Sequence, residues 1–174
     1  MSKLTELFRV IGDFFHSAPT LIFFKPPADS DRTSLGLMFQ KTAAQYAECS
    51  AIVFEGRELN WAEFNALVNQ FARGFKQQGV KRGDCVAVMM ENRIELLCSI
   101  VALSKIGATA GLINTGLTGR PLAHCIGVID SVKCLVGEEL LPAVSDIKNT
   151  LKLADADYLW VSDRAKGGVY PDWT

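Results

Sequence analysis

Four short apolar runs constrain this chain most: "VAVMM" at 86–90, "TAGLIN" at 109–114, "VKCLV" at 132–136 and "YLWV" at 158–161. Each is too short for a helix. The first is bounded by Gly83-Asp84 and Glu91-Asn92, and such runs read as strands buried on both faces. Helix-length segments, one between Asn92 and Gly107 and others at about 119–128 and 138–151, separate them. Strand alternating with helix leaves few solutions, because an apolar strand face must be covered and a parallel return needs a crossover. The fold class expected is α/β, with a mostly parallel, doubly wound sheet flanked by helices, preceded by an amphipathic helix and a β-hairpin.

Local signals place the upstream elements. Leu4, Leu7, Phe8, Ile11, Phe14 and Phe15 recur at helical spacing, Lys3, Glu6, Arg9 and Asp13 lie mostly opposite, and Pro19 ends the segment. "KPPADSDRTS" at 25–34 is a linker, and a helix is expected from Leu35 to Glu48. The chain thus divides into 1–34, helix and linker, and 35–174, the α/β part. A hairpin follows the second helix, with Ala51–Glu55 and Glu58–Asn60 as strands and Gly56-Arg57 as the turn. Asn60 with Glu63 and Asn92 with Glu95 each have the spacing of a capping box. The helix after Asn60 should bury Trp61, Phe64, Leu67, Val68, Phe71, Ala72 and Phe75, with Gly79 at its left-handed stop. The helix after Asn92 should stop in the same way at Gly107.

Composition closes off several classes of function. With 18 Lys+Arg against 19 Asp+Glu the net charge is -1, the basic residues are scattered, and nucleic acid is not an expected partner. The five cysteines are odd in number, lack a C-x-x-C spacing, and mostly sit in apolar runs as small hydrophobes. Only His124-Cys125 approaches a ligand pair. Adjacent helical residues diverge by about 100°, so no metal site is expected. Reduced thiols and no secretory signal point to the cytosol. Ile94–Ile113 is apolar enough to suggest a membrane span, yet it carries Glu95 and Lys105 and is broken by Gly107. A buried helix followed by a buried strand fits it better. The 1–17 helix has two readings, packing on the rest of the protein or peripheral membrane contact through residues 4–15.

Parallel sheets take ligands at the carboxyl ends of their strands, which directs attention to Glu91-Asn92 and Asn114-Thr115. No G-x-G-x-x-G follows a strand, and neither G-x-x-x-x-G-K-[ST] nor G-x-S-x-G is present. "TGLTGRP" at 115–121 looks like a phosphate loop, but Leu117 interrupts the small residues and Leu122, not lysine, follows Pro121. It reads as a strand–turn–helix joint with Thr118 as N-cap. His124 is expected to pack among apolar neighbours, and Glu138-Glu139 and Asp155/Asp157 to be helix-start and loop charges.

The residues carry a family resemblance. "ELNWAEFNALVNQF" at 58–71 and "LSKIGATAGLINT" at 103–115 resemble the first two core motifs of the adenylate-forming (AMP-binding) acyl-CoA synthetases. "LINTGLTGRPLAHCI" at 112–126 is similar to the fatty acid transport and very-long-chain acyl-CoA synthetase branch, and the likeness runs from about Ala43 to Val161. The resemblance implies an enzyme that uses ATP and Mg2+ to convert a fatty acid to an acyl-adenylate, then passes the acyl group to coenzyme A. Chain length, long or very long, rests on this likeness alone.

The family's Ser/Thr/Gly-rich ATP loop, adenine-binding aromatic segment, ribose-binding aspartate, hinge and catalytic lysine all lie beyond the matched region. No catalytic, cofactor-binding or metal residue is carried onto this chain. The expectation is a truncated amino-terminal subdomain, by design or proteolysis, inactive alone and with no cofactor bound. Exposed apolar surface should make it self-associate, and its parent should be cytoplasmic or peripheral at the inner face of the membrane. The alternative is a stand-alone binding or scaffold module derived from the subdomain.

Overall fold

The computed structural model describes residues 33–162, so the amphipathic segment 4–15 and most of the 25–34 linker lie outside the described residues. Helix α1 (Leu35–Gln45) starts at Ser34, whose Oγ accepts from the Leu37 amide at 3.1 Å. Strands β1 (Ser50–Phe54) and β2 (Arg57–Asn60) form an antiparallel hairpin. Its turn is Glu55-Gly56, one residue earlier than expected. Both residues have positive φ (47° and 77°), the backbone twist that joins two strands with two residues. Helix α2 (Trp61–Gln77) carries the full capping box: Asn60 Oδ1 accepts from the Glu63 amide at 2.8 Å, and Glu63 Oε2 from the Asn60 amide at 2.9 Å. Phe64, Leu67, Val68, Phe71 and Phe75 are buried as the periodicity predicted, with Trp61 and Ala72 half-buried.

The main sheet contains β3 (Cys85–Met89), β4 (Thr109–Leu112), β5 (Lys133–Gly137) and β6 (Tyr158–Val161). All pairs are parallel and the order is β4-β3-β5-β6. Helix α3 (Ile94–Ile106) joins β3 to β4, α4 (Gly119–Val128) joins β4 to β5, and the short α5 (Leu141–Ser145) follows β5. Alternate side chains of the strands serve the two faces. Val86, Val88, Leu135, Leu159 and Val161 pack with Phe39 of α1, Phe75 of α2 and Leu103 of α3. Ala87, Met89, Cys134 and Val136 pack with Leu122 and Ile126 of α4 and Val144 of α5. Phe75 and Val68 are fully buried, each contributing about 1.5–3 kcal/mol relative to exposure.

Four expectations need correction. The "TAGLIN" strand is not buried on both faces: β4 is an edge strand, with Thr109 and Leu112 exposed. The 138–151 helix is broken into a 3-10 turn (Glu138–Leu140), α5 and a second 3-10 turn (Lys148–Thr150). Pro142 is tolerated only in the first turn of α5, so the helix cannot run upstream through it. Downstream, the Thr150 hydroxyl donates to the Ile147 carbonyl at 2.6 Å, a local bond that competes with continued helix. His124 is exposed on α4, not packed in the core. Asn92 is not a cap: Arg93 holds the N-cap position of α3 and makes no side-chain cap bond. By contrast, Gly107 closes α3 in the left-handed region as expected, at φ 79°. Among the described residues no helix is long and apolar enough to cross a membrane.

Candidate functional site at the carboxyl edge of the sheet

The connections define where a ligand crevice should form. β3 leads into α3 on one face of the sheet, while its neighbour β5 leads into α5 on the other. Adjacent strands whose connections leave to opposite faces make a topological switch point, the usual ligand crevice of an open α/β sheet. Here that crevice is filled from within. Arg93, 8% exposed, donates from Nη2 to the Val161 carbonyl at 2.7 Å and from Nη1 to Glu139 Oε2 at 3.1 Å. The other Glu139 oxygen accepts from the Glu91 amide at 3.0 Å. Two side chains therefore join the ends of β3, β5 and β6.

A second carboxylate balances the cluster. Glu95, 1% exposed, lies 3.8 Å from Arg93 Nε and 3.6 Å from Arg57 Nη1 of the hairpin. Arg93 Nε has no hydrogen-bond acceptor, so Glu95 serves it by charge rather than by a directed bond. One turn along α3, the Cys98 thiol is pushed well up by burial and by the nearby Glu95 charge, and stays protonated and inert. None of this was legible as chemistry. By sequence spacing Glu95 is a capping residue and Glu139 a helix-start charge, while Arg93 carries no signal beyond following Asn92.

The open space lies one strand further out. A groove of about 410 Å3 at the ends of β3 and β4 is lined by Met90, Asn92, Leu96, Leu112 and Asn114 among others. Both asparagines singled out from the sequence border it. The groove is open to solvent and its lining mixes apolar side chains with polar ones. Asn114 is partly committed, since its Oδ1 accepts from the Gly116 amide at 2.8 Å.

"TGLTGRP" folds as a strand–turn–helix joint. Thr118 occupies the N-cap position with extended backbone but makes no side-chain cap bond, and Gly119 has φ +54°. Glu138 and Glu139 do open a 3-10 turn, and Asp157 ends another, where its pairing with Lys133 at 2.7 Å and its bond from the Ala154 amide hold its carboxyl below the usual range. Among the described residues no three His, Cys, Asp or Glu side chains converge as a metal ion would require. The described residues do not fit a resident Mg2+.

Known proteins agree with this architecture. Residues 39–167 match the family model described as "AMP-binding enzyme". A medium/long-chain-fatty-acid–CoA ligase of Mycobacterium tuberculosis, FadD6, is 29% identical over 162 residues, 91% of this chain and 27% of the relative. Long-chain fatty acid transport protein 1 of Bos taurus is 32% identical over 143 residues, 81% of this chain and 22% of the relative. The chain thus spans about a quarter of the length of these relatives. Among solved structures, the N-terminal domain of FACL13 from M. tuberculosis superposes with TM-score 0.67 at 24% identity, covering 78% of this chain and 35% of that one. The anthranilate CoA ligase AuaEII superposes with TM-score 0.69 at 21% identity, covering 81% and 26%. These superpositions show the fold. The family match spans well over half of the sequence, and the chain belongs to the family of AMP-binding enzymes.

Proposed function

We propose that this chain is the first α/β subdomain of a long- or very-long-chain fatty acyl-CoA synthetase. That enzyme activates a fatty acid with ATP to acyl-AMP and transfers the acyl group to coenzyme A. The observation that carries the reading is the family match over 39–167, joined to relatives named as fatty-acid–CoA ligases and fatty acid transport proteins. A carboxylate is a poor electrophile until its oxygen is esterified to AMP, which makes AMP a leaving group for the thiol.

In this reading residues 1–34 are a separate segment and 35–174 is the subdomain proper. The chain alone does not adenylate and associates with itself through exposed apolar surface such as Leu112 and Val53. The test is fatty-acid-dependent exchange of pyrophosphate into ATP. The whole gene product should catalyse it and the 174-residue chain should not. Activity in the isolated chain would refute the scaffold role, and a gene product of about 19.0 kDa would refute the subdomain reading.

The groove at Asn92 and Asn114 favours a second reading, an independent small-molecule-binding domain. Titration of this chain with ATP, acyl chains or coenzyme A separates the two, because micromolar affinity would support the binding domain.

A further inference from the structure

We propose that Arg93 and Glu139 are positioning residues: together they plug the switch-point crevice and hold the carboxyl ends of β3, β5 and β6 in register for the ligand groove beside them. The proposal deepens, and rests on, the acyl-CoA synthetase reading. The ties are long-range, 46 residues from Arg93 to Glu139, 48 from Glu91 to Glu139 and 68 from Arg93 to Val161. Each joins chain segments that the sheet ladder releases at its carboxyl edge. Glu91 and Asn92, held through Glu139, are also walls of the groove. The backbone that receives the brace is therefore the backbone that would contact a ligand.

Gly137 gives an independent sign that this geometry is specified. Its backbone lies in the ordinary extended region (φ -67°, ψ 142°), so no turn requires glycine there. A methyl group at 137 would instead overlap the Glu139 carboxylate, meeting Oε2 at 2.5 Å and its Cδ at 2.6 Å. A side chain at the last residue of β5 would compete with the Glu139 carboxylate for the same space. Gly137→Ala therefore displaces the carboxylate without touching a charge, and should reproduce the effect of altering Glu139 itself.

The experiment compares Gly137→Ala and Glu139→Gln with wild type in the whole gene product, with Lys148→Met, in the partly exposed Lys148–Asp155 pair, as control. Amide hydrogen exchange at Glu91 should accelerate about tenfold in Gly137→Ala and Glu139→Gln, with Val68 and Phe71 of α2 unchanged. Fatty-acid-dependent pyrophosphate exchange should fall about tenfold or more, mainly in kcat, because misaligned loops cost orientation more than binding. The control should match wild type in both. Unchanged exchange at Glu91, acceleration throughout the fold, or failure of both variants to fold would each overturn the brace. Faster exchange at Glu91 with kinetics intact would overturn the positioning role. A wild-type enzyme with no pyrophosphate exchange would defeat the synthetase reading, and Glu91 exchange alone would then decide the brace.

Discussion

Gly36→Ala and Gly127→Ala are the same substitution inside two helices, yet the structure assigns them opposite signs. Helix propensity alone would stabilise both by about 0.5–1 kcal/mol. At Gly36 a methyl would lie 2.7 Å from both Cα and N of Lys105, backbone atoms of α3 that cannot rotate away. Carbon pairs are comfortable at about 3.5–4.0 Å, so α1 must move off α3 by about 1 Å. Overpacking of this kind costs about 1–3 kcal/mol. The same movement stretches the bond from the Gly36 amide to Ser104 Oγ, 3.0 Å long, a further loss of about 0.5–1.5 kcal/mol. After the propensity gain, Gly36→Ala should destabilise by about 0.5–4 kcal/mol. At Gly127 no atom lies within 4 Å of the added carbon and φ is not positive, so only the propensity gain remains. The two variants should differ by about 1.5–4.5 kcal/mol. That is roughly 3–18 °C in melting temperature for a domain of this size, followed by circular dichroism. If Gly36→Ala melts at or above wild type, or both variants shift together, the close approach of α1 and α3 is wrong.

Three further outcomes follow from side-chain environments. Burial pushes the Cys134 thiol up to about 12 and raises that of Cys98, so both stay protonated in the native state when the unfolded chain ionises near 9.0. The native state then holds more protons, stability should fall as pH rises above about 9, and Ellman's reagent at pH 8 should label exposed Cys49 but neither buried thiol before unfolding. The depressed carboxyl of Asp157 contributes stability above 3.8 that is lost as pH falls through its folded value. Asp157→Asn should remove that acid dependence while costing under about 1 kcal/mol at neutral pH, since the pair is partly exposed, as urea titrations at several pH values would show. Lys105 Nζ donates to Gln40, Asn65 and Asn69 and sits 5.2 Å from the Phe39 ring, joining α1, α2 and α3. Lys105→Met should destabilise by about 1–3 kcal/mol, and a neutral urea midpoint would show that water replaces those bonds without loss.

Features that depend on neighbours a few residues apart were readable from the sequence. The Asn60–Glu63 capping box, the left-handed stop at Gly107, the helix over 119–128 and the strand "YLWV" all rest on contacts three or four residues apart or on a run's length, so a linear pattern carries them. The same logic explains a particular failure. Asn92 and Glu95 have the spacing of Asn60 and Glu63, but Glu95 turns inward to two arginines, one of them 38 residues upstream on the hairpin. Local spacing admits both outcomes, and the cap loses to charges that only the folded chain brings near.

Sequence alone therefore determined that the chain alternates strand and helix, where most elements begin, and which apolar faces seek cover, because these follow from side-chain periodicity and backbone chemistry. The tertiary structure decided the strand order β4-β3-β5-β6, the exposure of the "TAGLIN" edge, and the switch point between β3 and β5. It also decided that Arg93 and Glu139 meet there, across 46 residues of chain. A side chain's partners at that distance depend on how the layers close, and nothing in the identities of its sequence neighbours records it.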